Sequence, residues 1–328
     1  MLATTLFLCL PVPALAVSSY SIRDSYMGFQ FLDTWRWETE DDPTHGRTNY
    51  LDKNTSISLN LTVASNTSFI MRADNVNMVP PAERGESKEP ANILPLRPYG
   101  DSLIMLDLWH MPTGCATWPA FWTVSKAGPW PHGGEVDIIE GVNNNANNLA
   151  SLHTTANCNM TQIREQSGQT ISTQCDASYN YNQGCGVSFT KRNSYGRPFN
   201  LNGGGYYVMR RGECGIFVWF WSRRDPSVPP EVSQGLNTVN PDPSFWGEPD
   251  AVFPTDSCDY PSHFDAHSIV FDLTFCGDWA GSPSAYNSDT GCPGNCIDFV
   301  NNNPRAFDEA YWEIGSLRVY APNDDTSK

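Results

Sequence analysis

The 328-residue sequence predicts an all-β fold, a two-sheet antiparallel sandwich. Three observations lead there. Short runs of β-branched and aromatic residues recur along the chain, each closed by Gly, Pro or Asn. No segment keeps a helical period over several turns. No Pro/Ser/Gly-rich linker, repeat or shift in composition divides the chain, so a length that could hold two domains is read as one.

Residues 1–16 are an apolar run centred on Leu6 to Leu10 and ending Ala14-Leu15-Ala16. They are too short to span a bilayer and end as signal peptidase requires, so a signal peptide is expected. Residues 17–328 are then a single secreted, extracellular domain. The sequons at Asn54, Asn60, Asn66 and Asn159 agree with that route. Three of them lie around Ile57 to Val63, whose alternation reads as a strand with one wet face.

Further strands are expected at Phe69 to Ala73, Leu103 to Trp109, Ala150 to Thr155, Gly205 to Met209, Gly215 to Trp221, Ile269 to Phe275 and Trp312 to Tyr320. Cys158 to Asn202, rich in Asn, Gln, Ser and Gly, reads as a disulfide-pinned surface insertion. Near residues 302–307 a helical turn is expected, with Asn303 as cap and Pro304 first.

The formal net charge of -16, from 36 acids against 20 bases, argues against nucleic acid and anionic membrane as partners and is compatible with a neutral polymer. Of ten cysteines Cys9 leaves with the leader, and the remaining nine are an odd number. In a secreted chain most should pair, although spacing does not assign the pairs. Cys214 precedes the strand-like run Ile216 to Phe220, which points to a buried thiol there.

Chemistry concentrates in Gly133-Gly134-Glu135-Val136-Asp137-Ile138-Ile139-Glu140-Gly141. Residues two apart on a strand share a face, so Glu135 and Asp137 point together, whereas Glu140 would point away. A β-bulge at Ile138-Ile139 would return Glu140 to their face and bring the carboxyls of Glu135 and Glu140 to about 5 to 6 Å, the spacing of a retaining glycosidase. A solvated strand edge is the plainer reading of the three acids. Like charges between buried Val and Ile raise one another's pKa, however, and such clusters usually work. A metal site is disfavoured because a calcium loop would be turn-rich.

Glu-Val-Asp-Ile-Ile-Glu resembles the Glu-x-Asp-x-x-Glu signature of family 16 glycoside hydrolases, in particular the fungal laminarinase-type endo-1,3(4)-β-glucanases. His45 to Tyr50, His110 to Cys115, Trp118 to Trp122, Phe275 to Gly281 and Asn301 to Pro304 resemble that group in the same order. The resemblance implies a β-jelly roll with a groove across its concave sheet. It also implies a secreted retaining endo-β-glucanase acting on β-1,3 links, and β-1,4 links next to them, in laminarin-like or mixed-linkage glucans. Its roles would be Glu135 as nucleophile, Glu140 as acid/base and Asp137 as their assistant, with an acidic rate optimum. Eight of the nine cysteines stand at positions resembling family ones; Cys214 does not. No cofactor or metal and no partner but the β-glucan is implied, and the protein is expected to be a monomer. A lectin-like binder and a transglycosylase on the same scaffold are the rival functions.

Trp122, Trp130 and Trp279 resemble tryptophans that stack on the glucan, and His153 resembles a histidine near the reacting sugar. Core packing is the plain alternative for each ring. Trp118 is evenly balanced between the two. One stretch departs from the family: where a strand bearing a cleft arginine is usual, four prolines fall between Pro80 and Pro95. Prolines at this density are incompatible with a central strand, so a loop is expected at that cleft edge over residues 82–99.

Overall fold

Alternation decides how the acid-bearing segment sits. Val136, Ile138 and Ile139 are fully buried, while Glu135 and Glu140 remain partly exposed on the other face of the Glu135–Glu140 strand. The computed structural model describes residues 19–78, 89–90, 92–95 and 97–323, and the expected leader lies outside them.

The acid strand is central in an eight-stranded sheet. The order is Gln169–Thr170, Cys185–Ser188, Leu149–His153, Glu135–Glu140, Thr117–Ser125, His267–Phe275, Asn92–Pro95 and Trp35–Glu38. A nine-stranded sheet packs against it, built around Ser102–His110, Tyr311–Pro322 and the Gly205–Gly212/Gly215–Ser222 hairpin. All strand pairings in both sheets are antiparallel, as expected.

The main core lies between the sheets. Phe121, Val136, Ile138, Ile139, Leu152, Ile269 and Phe271 meet Ile104, Leu106, Leu108, Tyr207, Val218 and Leu317 there. A second apolar layer covers the outer face of the nine-stranded sheet, with Trp219, Trp221 and Trp246 in edge-to-face contact. These rings, with Trp35 and Trp312, absorb much of the aromatic load into packing. Among the described residues no such layer covers the acid-bearing face of the eight-stranded sheet.

All seven strands predicted from Phe69 onward are present, with ends shifted by a few residues. The turn at Pro304–Phe307 begins where expected, although Asn303 makes no side-chain cap. Helices are short, and the longest described, Cys296–Asn302, has seven residues. None is long and apolar enough to cross a membrane.

Four expectations are corrected. Lys53–Ser58 is helical, with only Thr62–Ala64 extended, because Asp52 caps the first turn through the N–H groups of Asn54 and Thr55. All four sequon asparagines are nonetheless exposed. The segment 158–202 adds two strands to the eight-stranded sheet. It is pinned by Cys175–Cys185 within and by Cys158–Cys258 to the remainder. Asn92–Pro95 forms a strand between His267–Phe275 and Trp35–Glu38. Pro90 precedes the strand and Pro95 is its last residue, opposite Trp35, so the interior Asn92, Ile93 and Leu94 keep their N–H groups. Residues 79–88, 91 and 96 lie outside the described residues.

The fourth correction is Cys214, which is exposed at the turn of the Gly205–Ser222 hairpin. It precedes the buried strand by too little to be drawn under it. The other eight mature cysteines pair as Cys115–Cys292, Cys158–Cys258, Cys175–Cys185 and Cys276–Cys296.

Candidate active site

The acid strand begins at the Pro131-His132-Gly133-Gly134 turn. Gly134 has φ +82 and lies against Phe264, where a Cβ would come within 2.6 Å of the ring, so only glycine fits. From there the strand pairs Glu135 with His153 and Asp137 with Ser151, then slips before Glu140 pairs with Leu149. On its other side Asp137 pairs with Trp122 and Ile139 with Phe121, which leaves Ile138 as the extra residue. The bulge expected at Ile138-Ile139 is present.

A bulge frees backbone groups from the ladder, and buried ones need partners. The fully buried Asn148 supplies both: its Nδ2 donates to the Ile138 carbonyl at 2.8 Å, and its Oδ1 accepts from the Glu140 N–H at 3.1 Å. Nothing in the Asn-rich turn from 143 to 148 marks that role in sequence.

Each acid is held by named donors. Trp130 Nε1 donates to Glu135 Oε2 at 2.8 Å, and Trp118 Nε1 to Glu140 Oε1 at 2.9 Å. Ser151 Oγ donates to Asp137 Oδ2 at 3.0 Å, with His153 Nε2 3.5 Å from the same oxygen. The His153 ring is fixed from behind, its Nδ1 2.7 Å from Asn182 Oδ1. Burial is the main reason all three carboxyls titrate high, with Glu135 and Asp137 pushed up to about 8 and Glu140 to about 7. Their mutual charges add to this, Glu140 acting on Glu135, Glu135 on Asp137, and Asp137 on Glu140. Together the three cannot all be ionised at neutral pH.

Of the predicted groove rings, Trp130 is the most exposed, at 46%, and lies 6.4 Å from the His153 ring. Trp122 shares the acid-bearing face, with Nε1 donating to Asp272 Oδ2 at 3.1 Å. Trp279 sits in the short Gly277–Ala280 helix and meets Trp118 edge-on at 5.6 Å. Trp118, evenly balanced from sequence, is thus a direct partner of Glu140. Sequence reasoning did not single out Ser151, Asn148, Asn182 or Asp272. Glu135, Asp137 and His153 bring ligand atoms within 4.8 Å of one another and could hold a cation.

Residues 35–320 match a family model described as the XgeA-like, catalytic GH16 domain. The chain belongs to glycoside hydrolase family 16. Within the family it is 44% identical over 312 residues to a protein named a probable glycosidase in Schizosaccharomyces pombe, covering 94% of this chain and 71% of that one. It is 35% identical to an endo-1,3(4)-β-glucanase of Arthroderma benhamiae, covering 98% and 69%. Laminarinase 16A from Phanerochaete chrysosporium, solved with 6-O-glucosyl-laminaritriose in donor and acceptor sites, shares 45% identity at a TM-score of 0.88, over 93% of this chain and 100% of that one. An elongating family 16 β-1,3-glucosyltransferase superposes at a TM-score of 0.83 with 36% identity, over 92% and 100%. The fold expected from the resemblance, a family 16 jelly roll, is the observed one.

Proposed function

We propose that the protein is a secreted retaining endo-β-glucanase that hydrolyses β-1,3 bonds, and adjacent β-1,4 bonds, in laminarin-like or mixed-linkage glucans. One observation carries the reading: a bulge turns three acids onto one face of a strand, beneath tryptophans whose indole N–H groups bind the outer two. The laminarinase and endo-1,3(4)-β-glucanase relatives support the substrate class.

Glu135, ionised while the proton shared among the coupled acids sits on Glu140, attacks the anomeric carbon as the bond to the leaving glucosyl oxygen breaks, and Glu140 gives that proton to the oxygen. In the second step Glu140 takes a proton from water, which attacks the same carbon and releases Glu135. Asp137 lies on the same face next along the strand and assists by a hydrogen bond to Glu135 that sets its orientation and charge. Trp122, Trp130 and Trp279 hold the glucan by ring stacking, and His153 steadies Asp137 beside the reacting sugar. Four disulfides and four exposed sequon asparagines support a secretory origin. A chain of net charge -16 has no attraction for nucleic acid or anionic lipid.

The role assignment is tested by azide rescue with a substrate bearing a good leaving group. Glu140→Ala with azide should form the β-glycosyl azide through the intact covalent intermediate, and Glu135→Ala the α-azide. Reversed stereochemistry would exchange the two roles. A second reading, transfer to another sugar instead of to water, is favoured by the likeness to the elongating glucosyltransferase. Products longer than the starting laminarioligosaccharide would support it. Folded protein that binds laminarin and releases no reducing ends would instead be a lectin.

A further inference from the structure

Ala120 is the one small residue in a ring of large polar and aromatic side chains on the acid-bearing face. It pairs with Glu140 on one side and with Asp272 on the other, so the three lie in a row across three strands. Two strand spacings separate Glu140 from Asp272, about 10 Å between their Cα atoms. Along the Ala120 strand the same-face neighbours are Trp118 and Trp122, each about 7 Å away. Ala120, 7% exposed, puts only a methyl group in the middle of this frame.

The frame is tied at its corners. Trp118 donates to Glu140, while Trp122 Nε1 donates at 3.1 Å to Asp272 Oδ2 and the Ala120 N–H at 3.1 Å to Asp272 Oδ1. Both Asp272 oxygens are therefore engaged on their protein side, and the residue keeps partial exposure. Each oxygen has a further acceptor direction, and a protonated carboxyl also has an O–H to give. Burial, then the charge of Asp42, and then that of Glu140 hold the Asp272 carboxyl well above the usual range, against the pull of the Trp122 and Ala120 N–H donors. Asp42 itself is locked by the backbone N–H groups of Thr44 and Gly46 and by the Thr274 hydroxyl. Asp272 is thus a fixed polar group with spare hydrogen-bonding capacity, on the same face as the acid/base candidate and two strands away.

We propose that the space over Ala120 takes one glucosyl unit of the substrate and that Asp272 positions it, by a hydrogen bond to a sugar hydroxyl and by holding the Trp122 ring as its side wall. This rests on the β-glucan reading. Because Asp272 touches no reacting atom, its contact is made alike in ground and transition states, and its loss should appear in KM more than in kcat.

The test measures KM and kcat on laminarihexaose, and its Kd by calorimetry, for wild type, Asp272→Ala, Asp272→Asn, Trp122→Phe and the Asp272→Asn/Trp122→Phe pair. Asp272→Ala should raise KM and Kd about tenfold or more with kcat within about threefold. Asn keeps one of the two acceptor oxygens, so Asp272→Asn should fall between Ala and wild type. Trp122→Phe removes the indole N–H, and the double variant should lose less than the product of the single losses. A merely structural role lowers the active fraction and hence apparent kcat, but not KM. KM and Kd within about twofold of wild type for Asp272→Ala would overturn the proposal, as would fully multiplicative losses. Should Asp272→Ala not fold, unchanged KM and Kd in Asp272→Asn would overturn it equally. If wild type binds laminarihexaose without cleaving it, the hydrolase reading fails while the Kd comparison still decides on Asp272. If it binds none, both fail.

Discussion

Replacing Asp137 by asparagine should stabilise the protein at neutral pH and leave its stability at pH 4 unchanged. Asp137 is 3% exposed, and its carboxyl, ordinarily 3.8, is pushed up to about 8 by burial and then by the charge of Glu135. Between those values the folded state holds a proton that the unfolded state has lost. With fewer protons bound when unfolded, stability falls as pH rises through this window and is fully present only below about 4. Each pH unit costs about 1.4 kcal/mol per proton, so an isolated group would cost about 4 kcal/mol at pH 7. Sharing the charge with Glu135 and Glu140 brings the expected gain to on the order of 2–4 kcal/mol. Asparagine has no charge to bury and can still accept from Ser151. At an unfolding entropy of about 2.1 cal/mol/K per residue over roughly 300 residues, the variant should melt about 3 to 6 °C higher at pH 7. Thermal unfolding of both proteins at pH 4, 5, 6 and 7 gives the comparison. A gap of equal size at pH 4 and 7, or a variant less stable at pH 7, would refute the reasoning.

Two further outcomes follow from the local structure. Asn148→Ala strands the Ile138 carbonyl and the Glu140 N–H of the bulge and should cost roughly 2 to 5 kcal/mol in urea unfolding, with kcat down about a hundredfold as Glu140 loses its aim; stability and kcat within twofold of wild type would mean the bulge holds itself. Cys214 is exposed, so the native protein should react with a thiol reagent at that one cysteine without denaturant, and Cys214→Ser should abolish the reaction. Labelling only after unfolding would restore the buried thiol that the neighbouring strand suggested.

Much of this protein is legible in its residues because its determinants are local. The β-type runs, the turn residues between them and the Glu-x-Asp-x-x-Glu spacing define strands, a bulge and a three-acid face, since side-chain direction on a strand depends only on residue count. The errors arose where a local signal met a tertiary one. Ile57 to Val63 alternates like a strand, yet the Asp52 cap winds its first part into a helix. The proline-rich stretch looked incompatible with a sheet, but four residues without an interior proline suffice to fill a gap between two waiting edges. Cys214 lies one residue too far into a hairpin turn to be covered. What sequence could not supply is the set of groups that converge from far along the chain. Asp272 reaches Trp122 across 150 residues, and Ser151 and His153 meet Asp137 only because the next strand pairs in one register. The sequence alone therefore determined which side chains could do the chemistry. Strand order and register decided which donors hold them and how far burial raises their pKa values, because desolvation and hydrogen bonding depend on neighbours in space.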